Sequence, residues 1–314
     1  PLVIPSVSGA FSIGNETFIL NSLKNPLNFF YDFFKLCFKI KKYNPDLIYC
    51  TTKKALVIGF IYSKFLNLKI IYHVHLASKD SFSDFIIFHI MKRLDLCICV
   101  SEFIYNQLKI KKLSNLVLLK NPLIVSKKNK RRNINNHEVK LGFAGSLVRT
   151  KGVLFLLKSF LNLDQGKFKL NIFGDGTLFV DLKKQFNTNK NITFFGHVSN
   201  LSSYLDDCVD IFILPSTIPE SSSLVLQQAI SRSIPVITTN LGGQKYFVKN
   251  YYNGILVDVN DQESLFLAIN YIVENYSSMS KNCMTFSNQF ISEQSYLNNF
   301  IKIIKSFNEN IAVK

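Results

Sequence analysis

Short apolar runs alternate with amphipathic stretches along nearly the whole chain. Ten runs rich in Ile, Val and Phe have the continuous apolarity of parallel strands that are buried on both faces. They are Asp46–Cys50, Lys69–Val74, Leu94–Val100, Leu116–Leu119, Val139–Ala144, Phe168–Phe173, Ile192–Phe195, Asp210–Leu214, Pro235–Thr238 and Gly254–Val257. Segments with helical spacing lie among them, including Val153–Asn162, Leu224–Ser231 and a terminal Ser292–Phe307. This alternation predicts an α/β fold of doubly wound sheets.

A polar, basic stretch, SKKNKRRNINNHE at residues 126–138, divides this pattern in two. A solvated linker is favoured over a basic nucleic-acid-binding arm, and both interpretations stay open. We therefore predict a Rossmann-like domain over residues 1–126, a linker over 127–138 and a second such domain over 139–290. A terminal helix over 291–314 is expected to pack back toward the first domain. The chain opens at Pro1 as though a strand were under way, so we expect the start of the first domain to be missing.

Composition narrows the class of protein. A chain of 314 residues that is 47% hydrophobic can build two ordinary cores. No apolar run approaches the roughly 18 residues of a membrane span, and no signal peptide is visible, so a cytoplasmic protein is expected. Its six Cys lie in or beside apolar runs without CxxC spacing, which favours buried thiols in a reducing compartment over a metal site or disulfides.

The chain is strongly basic, with a formal net charge of +16. Part of this excess is compositional, but residues 26–70 carry eight Lys against two Asp, which suits an anionic membrane, a nucleic acid or a phosphorylated substrate. Residues 28–42 join aromatic side chains to a Lys cluster. They form either a helix at an anionic bilayer, peripheral to the inner face of the membrane, or a packed helix with a basic end.

Candidate chemistry lies in the loops that follow strands of the second half, where open α/β sheets bind ligands. The first loop is Gly145 to Gly152, with Arg149 and Lys151 before a helix, and it favours an anion such as a diphosphate. Gly174-Asp175-Gly176, Gly196-His197-Val198 and Asn240-Leu-Gly242-Gly243 follow three other strands. Taken alone, each loop is better explained as an ordinary turn.

The most informative loop joins Leu214 to the helix that starts near Leu224. Pro215 ends the strand, and Glu220 and three Ser residues precede the helix. Ser221 to Ser223 are suited to capping that helix. Glu220, at the same sheet edge as the other loops, is placed to accept hydrogen bonds from sugar hydroxyls, while the helix N-terminus faces phosphate oxygens.

The order of these motifs resembles the retaining glycosyltransferases of group 1 (family 4), which have the GT-B fold. The motifs are FAGSLVRTKG, NIFGDG, ITFFGHV, VDIFILPS, PESSSLVLQQAISRSIPVITTNLGG and NYYNGILV, preceded by NPDLIYC, KIIYHVHL, DLCICVSEF and LLKNPL. The resemblance implies two Rossmann-like domains that face each other across a cleft. It also implies a nucleotide diphosphate sugar as donor, bound by the second domain, a glycan or lipid-linked acceptor, and no metal or other cofactor.

The resemblance assigns roles to individual residues. It places Lys151 on the leaving diphosphate, Glu220 on the transferred sugar and His75 at the reaction centre. From its position on the same strand, we expect His73 to point the other way, into packing. The further donor-binding positions are Gly145, Ser146, Arg149, Gly174, His197, Val198, Ser222, Ser223, Leu224 and Gln228.

The sequence also departs from the family pattern. Ser146 stands where an Arg is common, Gln228 replaces the Glu that holds the ribose, and Tyr246 stands where Glu is frequent. The glycine-rich loop of the family's first strand would precede Pro1, unless residues 8–10 and 13–15 supply part of that wall. Two hypotheses follow: a metal-independent hexosyltransferase of surface polysaccharide or lipopolysaccharide biosynthesis, and a degenerate or truncated GT-B protein that binds a nucleotide or partner without catalysis. A nucleic-acid-binding module is disfavoured because no recognition motif accompanies the charge.

Overall fold

The structure is a computed structural model, and it shows two compact units, Pro1–Lys120 and Asn121–Lys314, each with its own parallel sheet. It describes residues 10–13, 16–19, 34, 37–38, 40–42, 44–76, 82–123, 134 and 138–312.

The first unit contains a four-stranded parallel sheet in the order β3-β4-β5-β6, with helices between its strands. Its elements are β3 (Leu47–Cys50), α1 (Lys53–Leu66), β4 (Lys69–Val74), α2 (Phe82–Met91), β5 (Leu96–Cys99), α3 (Glu102–Ile110) and β6 (Leu116–Leu118). An antiparallel hairpin precedes this sheet, made of β1 (Ala10–Ile13) and β2 (Glu16–Ile19).

The second unit contains a six-stranded parallel sheet in the order β12-β11-β10-β7-β8-β9. Its strands are β7 (Val139–Ala144), β8 (Phe168–Phe173), β9 (Ile192–Gly196), β10 (Ile211–Leu214), β11 (Val236–Thr239) and β12 (Gly254–Val257). Its helices are α4 (Val153–Phe160), α5 (Phe179–Phe186), α6 (Leu201–Cys208), α7 (Leu224–Ser231), α8 (Gln262–Glu274), α9 (Tyr276–Ser287) and α10 (Glu293–Ala312). The strand order reverses between β7 and β10, which are neighbours although two other strands separate them in sequence.

Local sequence explains where several helices begin and end. Thr52 starts α1 by accepting a hydrogen bond from the backbone N–H of Ala55 at 3.2 Å, and Asn67 ends it in the left-handed conformation (φ 53°). Asp261 starts α8 in the same way, with an acceptor distance of 3.0 Å to the N–H of Ser264. These side chains satisfy backbone groups that the helix termini leave unpaired.

The predicted parallel strands are all present, and their ends shift by at most two residues. The predicted helix Val153–Asn162 ends earlier, at Phe160, because the next residues form turns such as Leu163 N to Phe160 O at 3.0 Å. The terminal helix runs further than predicted, to Ala312, through residues 308–312 (NENIA), which show no apolar periodicity. The hairpin of β1 and β2 was not predicted.

Some predictions fall on parts of the chain outside the described residues. These are most of the 28–42 stretch, most of the 127–138 linker, and the positions Ser8, Gly9, Gly14 and Asn15 of the proposed N-terminal wall. The predicted domain boundaries, the missing start and the direction in which the terminal helix packs also stay predictions. Within the described ranges, no helix combines the length and the apolarity that a bilayer span requires.

Buried thiols contribute to both cores. All six Cys are free; Cys208 is half-buried and the other five are buried. Burial raises the pKa of Cys50 and of Cys99 to about 12. The thiols therefore pack as small apolar groups, as predicted.

The turn that precedes the edge strand β12 forms hydrogen bonds with that strand. Leu256 donates its backbone N–H to Oδ1 of Asn250 at 3.0 Å, and Gly254 O accepts from the N–H of Tyr251 at 2.9 Å. These bonds occupy backbone groups on the side of β12 that faces away from β11.

Near the end of β4, the predicted direction of the His73 side chain is wrong. His73 and His75 lie on the same side of the chain, with ring centroids 4.4 Å apart, because side chains two residues apart share one face of a strand. His73 is buried, as expected, and its Nδ1 lies 2.5 Å from the hydroxyl of Tyr49. Burial, with a smaller contribution from neighbouring His75, lowers the pKa of His73 to about 3.

The neutral state of His73 should make the first unit sensitive to acid. The folded chain binds a proton at His73 less readily than the unfolded chain does. The contribution of neutral His73 to the free energy of unfolding is therefore complete above the unfolded pKa of about 6.5, and it falls as the pH drops toward the folded pKa. His73→Asn keeps an acceptor for Tyr49 but does not titrate. Hydrogen exchange of the β4 amides, corrected for intrinsic rates, should show that wild type loses about 2 kcal/mol more than the variant between about pH 7 and about pH 4.5. Equal losses in the two proteins would contradict this assignment.

Candidate functional site

The candidate site lies where the strand order of the second sheet reverses. Parallel α/β sheets open a crevice at such a switch point, outside the carboxyl ends of the two strands that diverge there. Here those strands are β7 and β10. The loop from Gly145 to Gly152 leaves β7, and the loop from Pro215 to Ser223 leaves β10, so the topology itself makes the two loops neighbours.

Backbone contacts join the two loops. Thr217 donates its N–H to Thr150 O at 2.9 Å. Gly152 sits against Pro215 in the left-handed conformation (φ +70°), and a Cβ there would lie 1.9 Å from Pro215 O. The approach needs a residue without a side chain, so this Gly fixes the distance between the loops.

An ion pair spans the crevice between these loops. Lys151 Nζ lies 2.8 Å from Oε1 of Glu220, with side-chain exposures of 28% for the Lys and 13% for the Glu. Lys151 ends a short 3-10 helix, Arg149–Lys151, and Glu220 lies before α7. A cation and a carboxylate, both largely shielded from water, therefore stand together at the switch point.

Several buried residues hold Glu220 in place. The Ser216 hydroxyl donates to its carboxylate, and the side-chain oxygen of Gln244 accepts its backbone N–H at 3.1 Å. Glu220 O accepts from the N–H of Gly243 at 2.6 Å, and a Cβ on Gly243 would lie 2.4 Å from Ser221 O. The loop after β11 thus packs against the loop after β10 and holds the backbone of Glu220 in position.

Sequence reasoning did not assign Ser216 or Gln244 to the site. Both are fully buried polar residues directly after strands or beside glycines, in ILPS and NLGGQK. The signals that could have identified them are a polar residue next to the end of an apolar strand run (Ser216) and a polar residue directly after a glycine pair in a strand-end loop (Gln244).

Two helix N-termini face the same crevice without side-chain caps. Gly152 is the N-cap of α4, and Ser223 is the N-cap of α7, and neither gives a side-chain hydrogen bond to its helix. The Ser223 hydroxyl is buried and has no hydrogen-bond partner among the described residues, so it does not cap α7 as the sequence suggested. Uncapped N-termini carry partial positive charge and free N–H groups, which suit an anion.

Gln228, one turn into α7 from Leu224, also has an unused polar atom. Its Oε1 is buried and has no hydrogen-bond partner in the described part of the chain. A buried acceptor without a donor costs free energy, and a bound ligand with a hydroxyl group would supply that donor.

The remaining predicted donor-binding residues lie in the loops of the same sheet. Gly145 and Ser146 follow β7, and Arg149 is exposed nearby. Gly174 follows β8, where its N–H donates to Gly196 O at 2.7 Å, and His197 and Val198 follow β9. Ser222 and exposed Leu224 flank the start of α7. The structure therefore brings these residues to one edge of the second sheet.

His75 belongs to the first unit, directly after β4. Its side chain is exposed, yet partial burial of the ring lowers its pKa, so the imidazole is neutral at neutral pH. Tyr246, which departs from the family pattern, is 39% exposed. Among the residues that the structure describes, no three His, Cys, Asp or Glu side chains gather as metal ligands would.

The sequence of this chain is similar to those of known glycosyltransferases. The family model "Glycosyl transferases group 1" matches residues 125–289, more than half of the chain. The Escherichia coli UDP-Gal:alpha-D-GlcNAc-diphosphoundecaprenol alpha-1,3-galactosyltransferase is 33% identical over 36% of this chain and 30% of its own length. The O-antigen biosynthesis glycosyltransferase WbnH of Escherichia coli is 28% identical over 56% of this chain and 51% of its own. The chain thus spans about half, or less, of these curated relatives.

A solved structure shows the same fold. Anabaena HepE in complex with UDP and glucose has a TM-score of 0.78 with 19% identity, over 92% of this chain and 85% of its own. The predicted α/β fold of the GT-B class is confirmed by this likeness. Because the family model covers more than half of the sequence, the chain belongs to the glycosyl transferases group 1.

Proposed function

We propose that this protein transfers a sugar from a nucleotide diphosphate sugar to a glycan or lipid-linked acceptor in surface polysaccharide or lipopolysaccharide type biosynthesis. The transfer is a hexosyl transfer with retention of anomeric configuration, as in family 4, and it needs no metal. The observation that carries the proposal is the Lys151–Glu220 pair between two uncapped helix N-termini at the switch point.

The electrostatics of the crevice support this chemistry. Negative charge grows on the leaving diphosphate as the bond to the sugar breaks. The Lys151 ammonium and the N-terminal amides of α4 and α7 are fixed donors that stabilise this charge without reorganising. When the donor binds, Lys151 turns from Glu220 to a phosphate oxygen, and Glu220, still held by Ser216, accepts hydrogen bonds from sugar hydroxyls.

Other residues complete the proposed site. The buried oxygen of Gln228 accepts a hydrogen bond from a ribose hydroxyl. His75, a neutral imidazole in the first unit, lines the reaction centre, and the acceptor binds mainly through that unit. The names of the relatives favour a uridine nucleotide as donor, since one uses UDP-Gal and HepE holds UDP.

The donor is identified by a thermal-shift and hydrolysis screen with UDP-, GDP- and ADP-sugars, each with and without EDTA. We expect a UDP-sugar to raise the melting temperature and slowly release UDP, with no change on addition of EDTA. Loss of both signals in EDTA would contradict metal independence. A folded protein that binds a nucleotide but releases no diphosphate would support the non-catalytic alternative, to which Ser146, Gln228 and Tyr246 point.

Replacement of Lys151 tests its role on the leaving group. Lys151→Ala should lower kcat about 100- to 1,000-fold, because a fixed cation is lost where charge develops. Exposed Lys158 on the neighbouring α4 provides a matched control, and Lys158→Ala should retain wild-type activity. The turnover rates of both variants, and their melting temperatures by circular dichroism, are compared with those of wild type. If Lys151→Ala stays within a few-fold of wild type, the Lys does not stabilise the diphosphate.

A matched pair of ligands tests Gln228. Gln228→Ala should weaken binding of the preferred nucleotide about 3- to 10-fold, as expected for one neutral hydrogen bond. At least one of the two corresponding deoxy nucleotides, 2′-deoxy or 3′-deoxy, should bind wild type and variant with nearly equal affinity. That nucleotide lacks the ribose hydroxyl that would donate to Gln228. Isothermal titration calorimetry gives all the affinities. Equal weakening for every nucleotide would assign Gln228 to packing instead.

A further inference from the structure

Helix α2 in the first unit is apolar on two opposite faces. Its inner face packs into the core through Ile87 and Met91, both buried. Phe82, Phe85 and Ile86 lie at spacings of three and four residues, and so share the other face. Their exposures are 80%, 59% and 43%, respectively. We name these three side chains the α2 outer face.

Such a surface is unusual for a helix at the edge of a core. A helix that is apolar all round is normally covered on every side, while one that borders water normally carries polar residues outward. Adjacent large apolar side chains on a surface mark an interaction site. The α2 outer face therefore needs a partner with an apolar phase.

The charges around α2 are positive. Exposed Lys92 and Arg93 follow the helix directly, and Arg93 donates to the backbone O of His89 at 3.3 Å. The Asp84 carboxylate is buried on the inner side and pairs with Lys53. The apolar face thus adjoins cations, while the acidic residue of the helix is turned away.

A second cationic segment borders the inner side of α2, at a cavity that Asp84, Ile87 and Met91 also line. Phe88 of α2 and Lys111, which follows α3, line one cavity, so the ends of the two helices are neighbours. That end of α3 reads Lys109-Ile110-Lys111-Lys112, and Ile110 is 82% exposed. Exposed apolar side chains and cations alternate here as well.

Lys92 and Arg93 are the charged residues that adjoin the α2 outer face among the described residues. The other carboxylates of residues 82–123, Asp95 and Glu102, pair with Lys69 at 3.2 Å and with Lys120 at 2.5 Å. A second copy of this basic face would repel it, whereas an anionic bilayer offers both negative charge and an apolar phase.

We propose that the α2 outer face docks the protein on an anionic lipid bilayer. Phe82, Phe85 and Ile86 enter the boundary between headgroups and acyl chains, and Lys92 and Arg93 contact lipid phosphates. This surface is distinct from the 28–42 stretch that the sequence singled out. Docking requires no donor, and so it stands independently of the proposed transfer reaction.

Vesicle sedimentation of the full chain tests the proposal. Wild type should bind vesicles of phosphatidylcholine mixed with phosphatidylglycerol, and bind pure phosphatidylcholine weakly. The triple variant Phe82→Ser, Phe85→Ser, Ile86→Ser should lower the partition coefficient at least about 10-fold, because three apolar side chains no longer enter the bilayer. Lys92→Glu with Arg93→Glu should lower it about 10-fold or more on the anionic vesicles and remove most of its salt dependence.

Two exposed apolar residues of the second unit supply the control. Val180→Ser with Leu267→Ser removes side chains that are 73% and 63% exposed, and it should leave vesicle binding unchanged. Melting temperature and nucleotide binding should match wild type in all variants. Absent binding by wild type, or undiminished binding by the triple variant, would overturn the proposal. A lower melting temperature or a changed oligomeric state in the triple variant would also overturn it, since the face would then be covered by protein.

Discussion

The adjacency of β7 and β10 is the constraint on which the candidate site depends. These strands are neighbours in the sheet, but the chain leaves them toward opposite edges, so a crevice opens beyond their carboxyl ends. The contact of Gly152 with Pro215 and the bond from Thr217 to Thr150 set the width of that space. The topology therefore places a basic loop opposite an acidic one before any side chain contributes specificity.

In the proposed reaction, the Lys151–Glu220 pair matters more for chemistry than for stability. A partly buried ion pair contributes little net folding energy, because desolvation of both groups offsets most of their attraction. Both side chains are instead held in defined positions, Glu220 by Ser216, Gln244 and the loop after β11. Charges that are already oriented need no reorganisation when a substrate places new charge beside them.

The sequence predicted the parallel strands well because strands buried on both faces have a continuous apolar signature. It also predicted that the loops carrying Lys151 and Glu220 lie at one edge of the sheet, because the loops that follow parallel strands share that edge. It missed what depends on packing between distant segments: the support of Glu220 by Gln244, the missing cap at Ser223 and the contact of His73 with Tyr49. The α2 outer face was equally hidden, since an apolar run does not reveal which of its faces the core covers.

The turn beside β12 affects how readily copies of this chain associate through the edge of the second sheet. An open edge of a parallel sheet is a template onto which a strand of another molecule can add, which is the first step toward fibrils. Asn250 and Tyr251 occupy the bonding groups of Leu256 and Gly254 that such a strand would use. A short polar turn thus shields one edge of a very apolar sheet from self-association, at the cost of a few fixed residues.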